Sequence, residues 1–124
     1  MQPNPEHAQI LAQAIETNRL PLAAAYITEA NLTTIINDRQ EAPIHLAAKH
    51  GVLPQIASPL LNRKTLLETR DNFGWTACHW AAFYGSWEQL PPEFRTREIL
   101  TGLTDVHGWT PIFLMAAYGV VNPL

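Results

Sequence analysis

Apolar and polar positions along the chain fall into blocks that return at a fixed interval. The stretches APIHLAAKHG from Ala42, TACHWAAFYG from Thr76 and TPIFLMAAYG from Thr110 begin 34 residues apart, and each is a run of mainly apolar residues closed by glycine. Each block predicts a short helix. Thr76 and Thr110 stand where an N-cap hydroxyl can accept a bond from an amide two or three residues on, and Pro111 follows where a missing N–H costs nothing. Gly85 supplies the left-handed residue that ends such a helix. The pairs Ala47–Ala48 and Ala81–Ala82 put methyl groups where neighbouring backbones approach closely. After the blocks, LPQIASPLL from Leu53 and WEQLPPEF from Trp87 carry apolar residues at helical spacing, but Pro59, Pro91 and Pro92 permit only brief helices there. Between blocks, DNFGW from Asp71 and DVHGW from Asp105 predict turns in which Asp bonds its own downstream amide and Gly takes a positive φ. The predicted order is turn, short helix, turn, stunted second helix.

The recurrence runs beyond the blocks. A step of 34 also pairs Gln55 with Gln89, Leu60 with Phe94, Arg63 with Arg97 and Leu66 with Leu100. The first 36 residues follow more faintly, with Ala14 on Ala48, Tyr26 on Leu60, Leu32 on Leu66 and Asn37 on Asp71. Self-similarity at this period marks stacked supersecondary units, none of which buries its apolar face alone. The expected division is a degenerate cap over 1–36, units over 37–70 and 71–104, and a truncated unit over 105–124. In the second unit Gln40 replaces the turn glycine and Ala42 the capping threonine, so that unit is expected to be less tightly specified. In the last, Ile112, Leu114 and Met115 are expected to lack the cover of a second helix. That expectation points to a longer chain, a partner or a second copy at this end.

Asp71, Gly74, Thr76, His79, Ala81, Ala82 and Gly85 together resemble the signature of the ankyrin repeat, and the resemblance extends over about residues 37 to 119. Ala77 and Cys78 depart from it where Pro and Leu are usual, Phe113 stands where His is expected, and Met115 takes an Ala position. NRKTLLETRD and TREILTGLTD, in place of the usual end of the second helix, resemble divergent ankyrin units of bacterial proteins. The resemblance implies an all-α solenoid of three to four units that binds a protein partner without cofactor, in the cytoplasm or, for a host-directed bacterial protein, in a host cytosol.

Composition narrows the remaining classes. With 47% hydrophobic and 15% charged residues among 124, the chain can bury a core. Its eight basic residues are scattered and the net charge is −3, which disfavours nucleic acid. The run IFLMAAYGVV is far shorter than the roughly 18 residues that a membrane helix needs. One cysteine, Cys78, allows no internal disulfide and is compatible with a reducing compartment. His45 and His79 hold equivalent positions on helices expected about 8 to 10 Å apart, too far to share a zinc that binds each nitrogen at about 2 Å. They are expected to be structural, bonding the capping hydroxyl or backbone. Cys78, in an apolar position beside His79, is expected to be a core thiol rather than a nucleophile. No metal cluster, phosphate loop or catalytic constellation is expected; the rival class is an enzyme, either a longer parent chain of which this is a docking arm or, as the weaker alternative, a small thiol enzyme through Cys78 and His79.

Binding chemistry concentrates in aromatics. Ankyrin modules bind through turn tips and the exposed side of the first helix, and the resemblance carries those places to three sets of residues. The second unit supplies Arg39, Glu41, Lys49 and His50, and the third supplies Asn72, Phe73, Trp75, Phe83 and Tyr84. The last supplies His107, Trp109 and Tyr118, with Val106 beside them. Exposed aromatics of this kind are enriched at protein interfaces. Trp75 and Trp109 could instead brace the stack by packing across the step. Trp80 and Trp87 are expected in the core.

Overall fold

A computed structural model describes residues 5–118, and all regular structure among them is helical. The α-helices are α1 (Pro5–Glu16), α2 (Glu29–Leu32), α3 (Pro43–His50), α4 (Ala77–Tyr84), α5 (Arg97–Gly102) and α6 (Pro111–Tyr118). α1 packs on α3, α3 on α4, and α4 on α6. Ala47, Ala48, Ala81 and Ala82 are each wholly buried at these contacts, where anything larger would separate the backbones. None of the described helices is long and apolar enough to cross a membrane.

α3 and α4 end as their glycines direct. Gly51 (φ 72°) and Gly85 (φ 85°) are left-handed, and the amides of Val52 and Ser86 then close back onto the carbonyls of Ala47 and Ala81 at 3.0 and 2.8 Å. The segment after each helix is more broken than a stunted helix. It forms two separate 3₁₀ turns, Leu53–Gln55 and Ser58–Leu60 in one place, Trp87–Gln89 and Pro92–Phe94 in the other. Leu90 (ψ 145°) and Pro91 (ψ 147°) each precede a proline, which drives the backbone out of the helical region.

A third helical piece then follows, and the sequence reading of two helices per unit omitted it. These pieces are α2, the π-turn Lys64–Glu68 and α5. Each is started by a cap 34 residues from the next. Thr28, Asn62 and Thr96 accept from the amides of Asn31, Thr65 and Ile99 at 3.1, 3.1 and 3.2 Å.

The turns form a second ladder. The Oδ1 of Asn37 accepts from the amides of Arg39 and Glu41, that of Asp71 from Phe73 and Trp75, and that of Asp105 from His107 and Trp109, all within 2.8–3.2 Å. Each turn passes through a left-handed residue: Gln40 (φ 58°), Gly74 (φ 74°) or Gly108 (φ 78°). Neighbouring turns are bonded to each other, Asn72 N–H to the Arg39 carbonyl at 2.9 Å and Val106 N–H to the Phe73 carbonyl at 3.0 Å.

Trp80 and Trp87 lie in the core as expected. At the far end the expectation of missing cover is corrected in part. Leu114 is wholly buried and Met115 half-buried because α6 lies against both α4 and α5, whereas Ile112 and Phe113 remain exposed.

Candidate partner-binding groove

His45 and His79 lock the frame on which the candidate surface stands. Nδ1 of His45 accepts the Ala42 amide at 3.0 Å, so Nε2 carries the proton and donates to the Thr69 carbonyl at 2.9 Å. His79 repeats this with the Thr76 amide and the Leu103 carbonyl, both at 3.0 Å. Burial holds both imidazoles below their ordinary pKa, against the opposing pull of those carbonyls and nearby carboxylates. Each ring thus joins the start of a helix to the strand-like exit of its own unit. Burial likewise pushes the Cys78 thiol up to about 12, against a hydrogen bond with Thr76. Among the described residues no group of three or more His, Cys, Asp or Glu is placed to hold a metal.

On the open side of α4 and the two flanking turns lies an apolar groove of about 500 Å³. Phe73, Trp75, Phe83 and Tyr84 form its middle, Glu41 closes one end, and His107 with Trp109 the other. The rings pack in sequence. Trp75 meets Phe83 with centroids 5.2 Å apart, Phe83 meets Tyr84 at 4.9 Å, and Tyr84 stacks on Trp80 at 5.5 Å and 15°. His45 lies beneath, stacked on Trp80 at 5.9 Å. Two of the three indoles that line the groove give their N–H groups to carboxylates, Trp75 to Asp105 at 2.8 Å and Trp80 to Asp71 at 3.0 Å. The first of these bonds crosses from one repeat to the next, so Trp75 braces the stack through hydrogen bonding while its ring lines the groove. Burial raises the pKa of Asp105, but the amides of Trp109 and His107, the Trp75 indole and His79 outweigh it and leave the group below its ordinary value.

A more polar hollow of about 530 Å³ adjoins the groove and shares Glu41, Trp80 and Tyr84 with it. Arg39 and Lys49 line it from one side, Gln9, Gln13 and Glu16 of α1 from the other. Lys49 Nζ sits 5.6 Å from the Tyr84 ring centroid.

The expected site residues thus separate. Seven of them line the aromatic groove, and Arg39 and Lys49 line the hollow beside it. Glu41 corrects the picture of a charged rim: it is only 7% exposed, and Arg39 and Asn37 occupy its carboxylate at 2.9–3.2 Å. Burial opposes the charge, yet those bonds and Arg39 hold its pKa below the ordinary carboxylate range. Asn72 spends its side chain on the Asp38 carbonyl at 3.0 Å, and exposed His50 lines neither hollow. The side chain of Tyr118 lies outside the described part. Sequence reading missed Trp80 as a lining residue, although its spacing from Phe83 and Tyr84, three and four residues, puts the three on one helix face. Gln9, Gln13 and Glu16 carry the same signal on α1.

No protein-family model matches this chain, and no curated protein is significantly similar to it.

Proposed function

We propose that the chain is an ankyrin-like solenoid of three to four units and that it recognises a protein partner through the aromatic groove, with no catalysis of its own. The observation that carries this reading is a continuous aromatic surface, floored by buried Trp80 and walled by Phe73, Phe83 and Tyr84, on a frame bonded internally through His45, His79 and the turn ladder. An apolar aromatic middle beside a polar hollow is the composition of a binding centre with its rim. The helix-on-helix contacts and the 34-residue recurrence of caps and turns support the solenoid. The affinity contributed by the apolar middle of such a surface depends only weakly on salt, since the carboxylate that lines it, Glu41, is already paired with Arg39.

Peptides selected from a random display library on the intact protein provide defined ligands for the test. Phe83→Ala and Tyr84→Ala are expected to weaken them by about 2 kcal/mol or more, as truncated hot spots do. Both side chains are at most half-buried, so folding stability should change by only about 1 kcal/mol. Undiminished peptide binding together with a large loss of stability would assign both residues to the core and reject the groove.

A further inference from the structure

We propose that the groove seats the guanidinium of an arginine side chain presented by its protein partner; this rests on the docking reading above. Trp75, Trp80 and Trp109 line the groove, and the first two direct their N–H groups at Asp105 and Asp71, Trp80 from beneath Tyr84, on which it stacks. Donation to an anion enriches the ring in electron density, and the aromatic face is already the negative end of its quadrupole. The other bonds given to the two carboxylates come from backbone amides, so neutral donors hold them and no ion pair among the described residues engages either one. The two nearby guanidinium groups are occupied elsewhere. Arg39 is held by Glu41, and Arg70 donates to the carbonyls of Gly74 and Thr104 at 2.7 and 2.9 Å. Lys49 over Tyr84 shows the same aromatic cluster taking a cation at its rim.

The choice of arginine over lysine follows from hydrogen bonding. An ammonium is strongly hydrated and brings three donors, whereas the one carboxylate lining the groove is committed to Arg39 and Asn37. A guanidinium is planar and weakly hydrated, and it stacks on aromatic faces without a carboxylate in the plane.

The test titrates four capped amino-acid amides, those of arginine, citrulline, lysine and leucine, into the intact protein and follows the indole N–H resonances by NMR. Citrulline keeps the planar shape of arginine and loses its charge. Arginine is expected to shift the Trp75, Trp80 and Trp109 signals with an affinity about tenfold or more above that of citrulline, and above those of lysine and leucine. Trp87, which does not line the groove, is the internal control and should not respond. Equal affinity for arginine and citrulline, or tighter binding of leucine, would overturn the cation and leave the docking groove standing. Failure of arginine to move the groove indoles would also overturn it, as would an equal response from Trp87. Asp105→Asn supplies a second readout, because Asn37 already holds the equivalent turn in the second repeat. It should lower arginine affinity severalfold with citrulline unaffected, and unchanged arginine affinity contradicts the proposal.

Discussion

The repeats around α3 and α4 share one skeleton and differ in what it displays. In both, a histidine three residues into the helix takes the N-cap amide on Nδ1 and reaches a carbonyl 24 residues downstream with Nε2. In both, an Asx side chain organises the preceding turn and a left-handed residue follows it. The display is exchanged position by position: Arg39, Glu41, Leu46, Lys49 and His50 around α3 become Phe73, Trp75, Trp80, Phe83 and Tyr84 around α4. A frame fixed by bonds to the main chain leaves the open side free to change chemistry, which separates the residues that hold the fold from those that form the surface along one helix.

If the frame is common, equivalent histidines should matter equally. His45→Ala and His79→Ala each strand a buried amide and a part-buried carbonyl, so chemical denaturation is expected to show a loss of about 2 kcal/mol or more in either repeat. A large cost at one and a negligible cost at the other would break the equivalence.

The pH dependence probes the same pair without mutation. Both folded pKa values lie below the unfolded histidine value of about 6.5. The unfolded state therefore takes up protons first as pH falls, and the stabilisation, complete above that value, drains away on the acid side. Each histidine can contribute up to about 1.4 kcal/mol per pH unit in that window. Glu41 and Asp105, whose folded pKa values are also low, act only further down, below about pH 4.5. Melting temperatures should thus decline between about pH 6.5 and 5, with roughly half the slope remaining in His45→Ala; a flat profile would count against buried neutral imidazoles.

The turns distinguish the repeats more finely. A Cβ on Gly74 would lie 2.9 Å from the Val106 amide nitrogen, whereas one on Gly108 meets open space. Gly74→Ala should therefore cost about 2 kcal/mol or more by denaturant melts, and Gly108→Ala only the left-handed penalty of about 1 kcal/mol. Gln40 already bears that penalty, so Gln40→Gly should stabilise the chain slightly, by about 0.5 kcal/mol. No gain there would show that the second repeat is as well specified as the third.

The short helices, their caps and the glycine turns were legible in the sequence because each depends on local backbone chemistry, whereas most residues lining the groove were reached through the resemblance to ankyrin repeats. The ladder of Thr28, Asn62 and Thr96 was present at the same 34-residue step but concealed, since Asn and Thr do the same work with different letters. The burial of Glu41 could not be read from its type, because it depends on Arg39 and Asn37 folding back across one turn. Trp80 was legible as core and not as groove floor, since an indole 6% exposed can still present its ring to a cavity. Leu114 was misjudged because its cover comes from α4 and α5 rather than from a following helix.

The most direct test of a common frame with an interchangeable display is to give the third repeat the residues of the second. In Phe83→Lys/Tyr84→His the positions take the identities of Lys49 and His50. The melting transition should stay cooperative and shift by only a few degrees, corresponding to about 1 kcal/mol, while display-selected peptides lose their binding. A collapse of the melting transition, or retention of peptide affinity in the folded variant, would contradict the account.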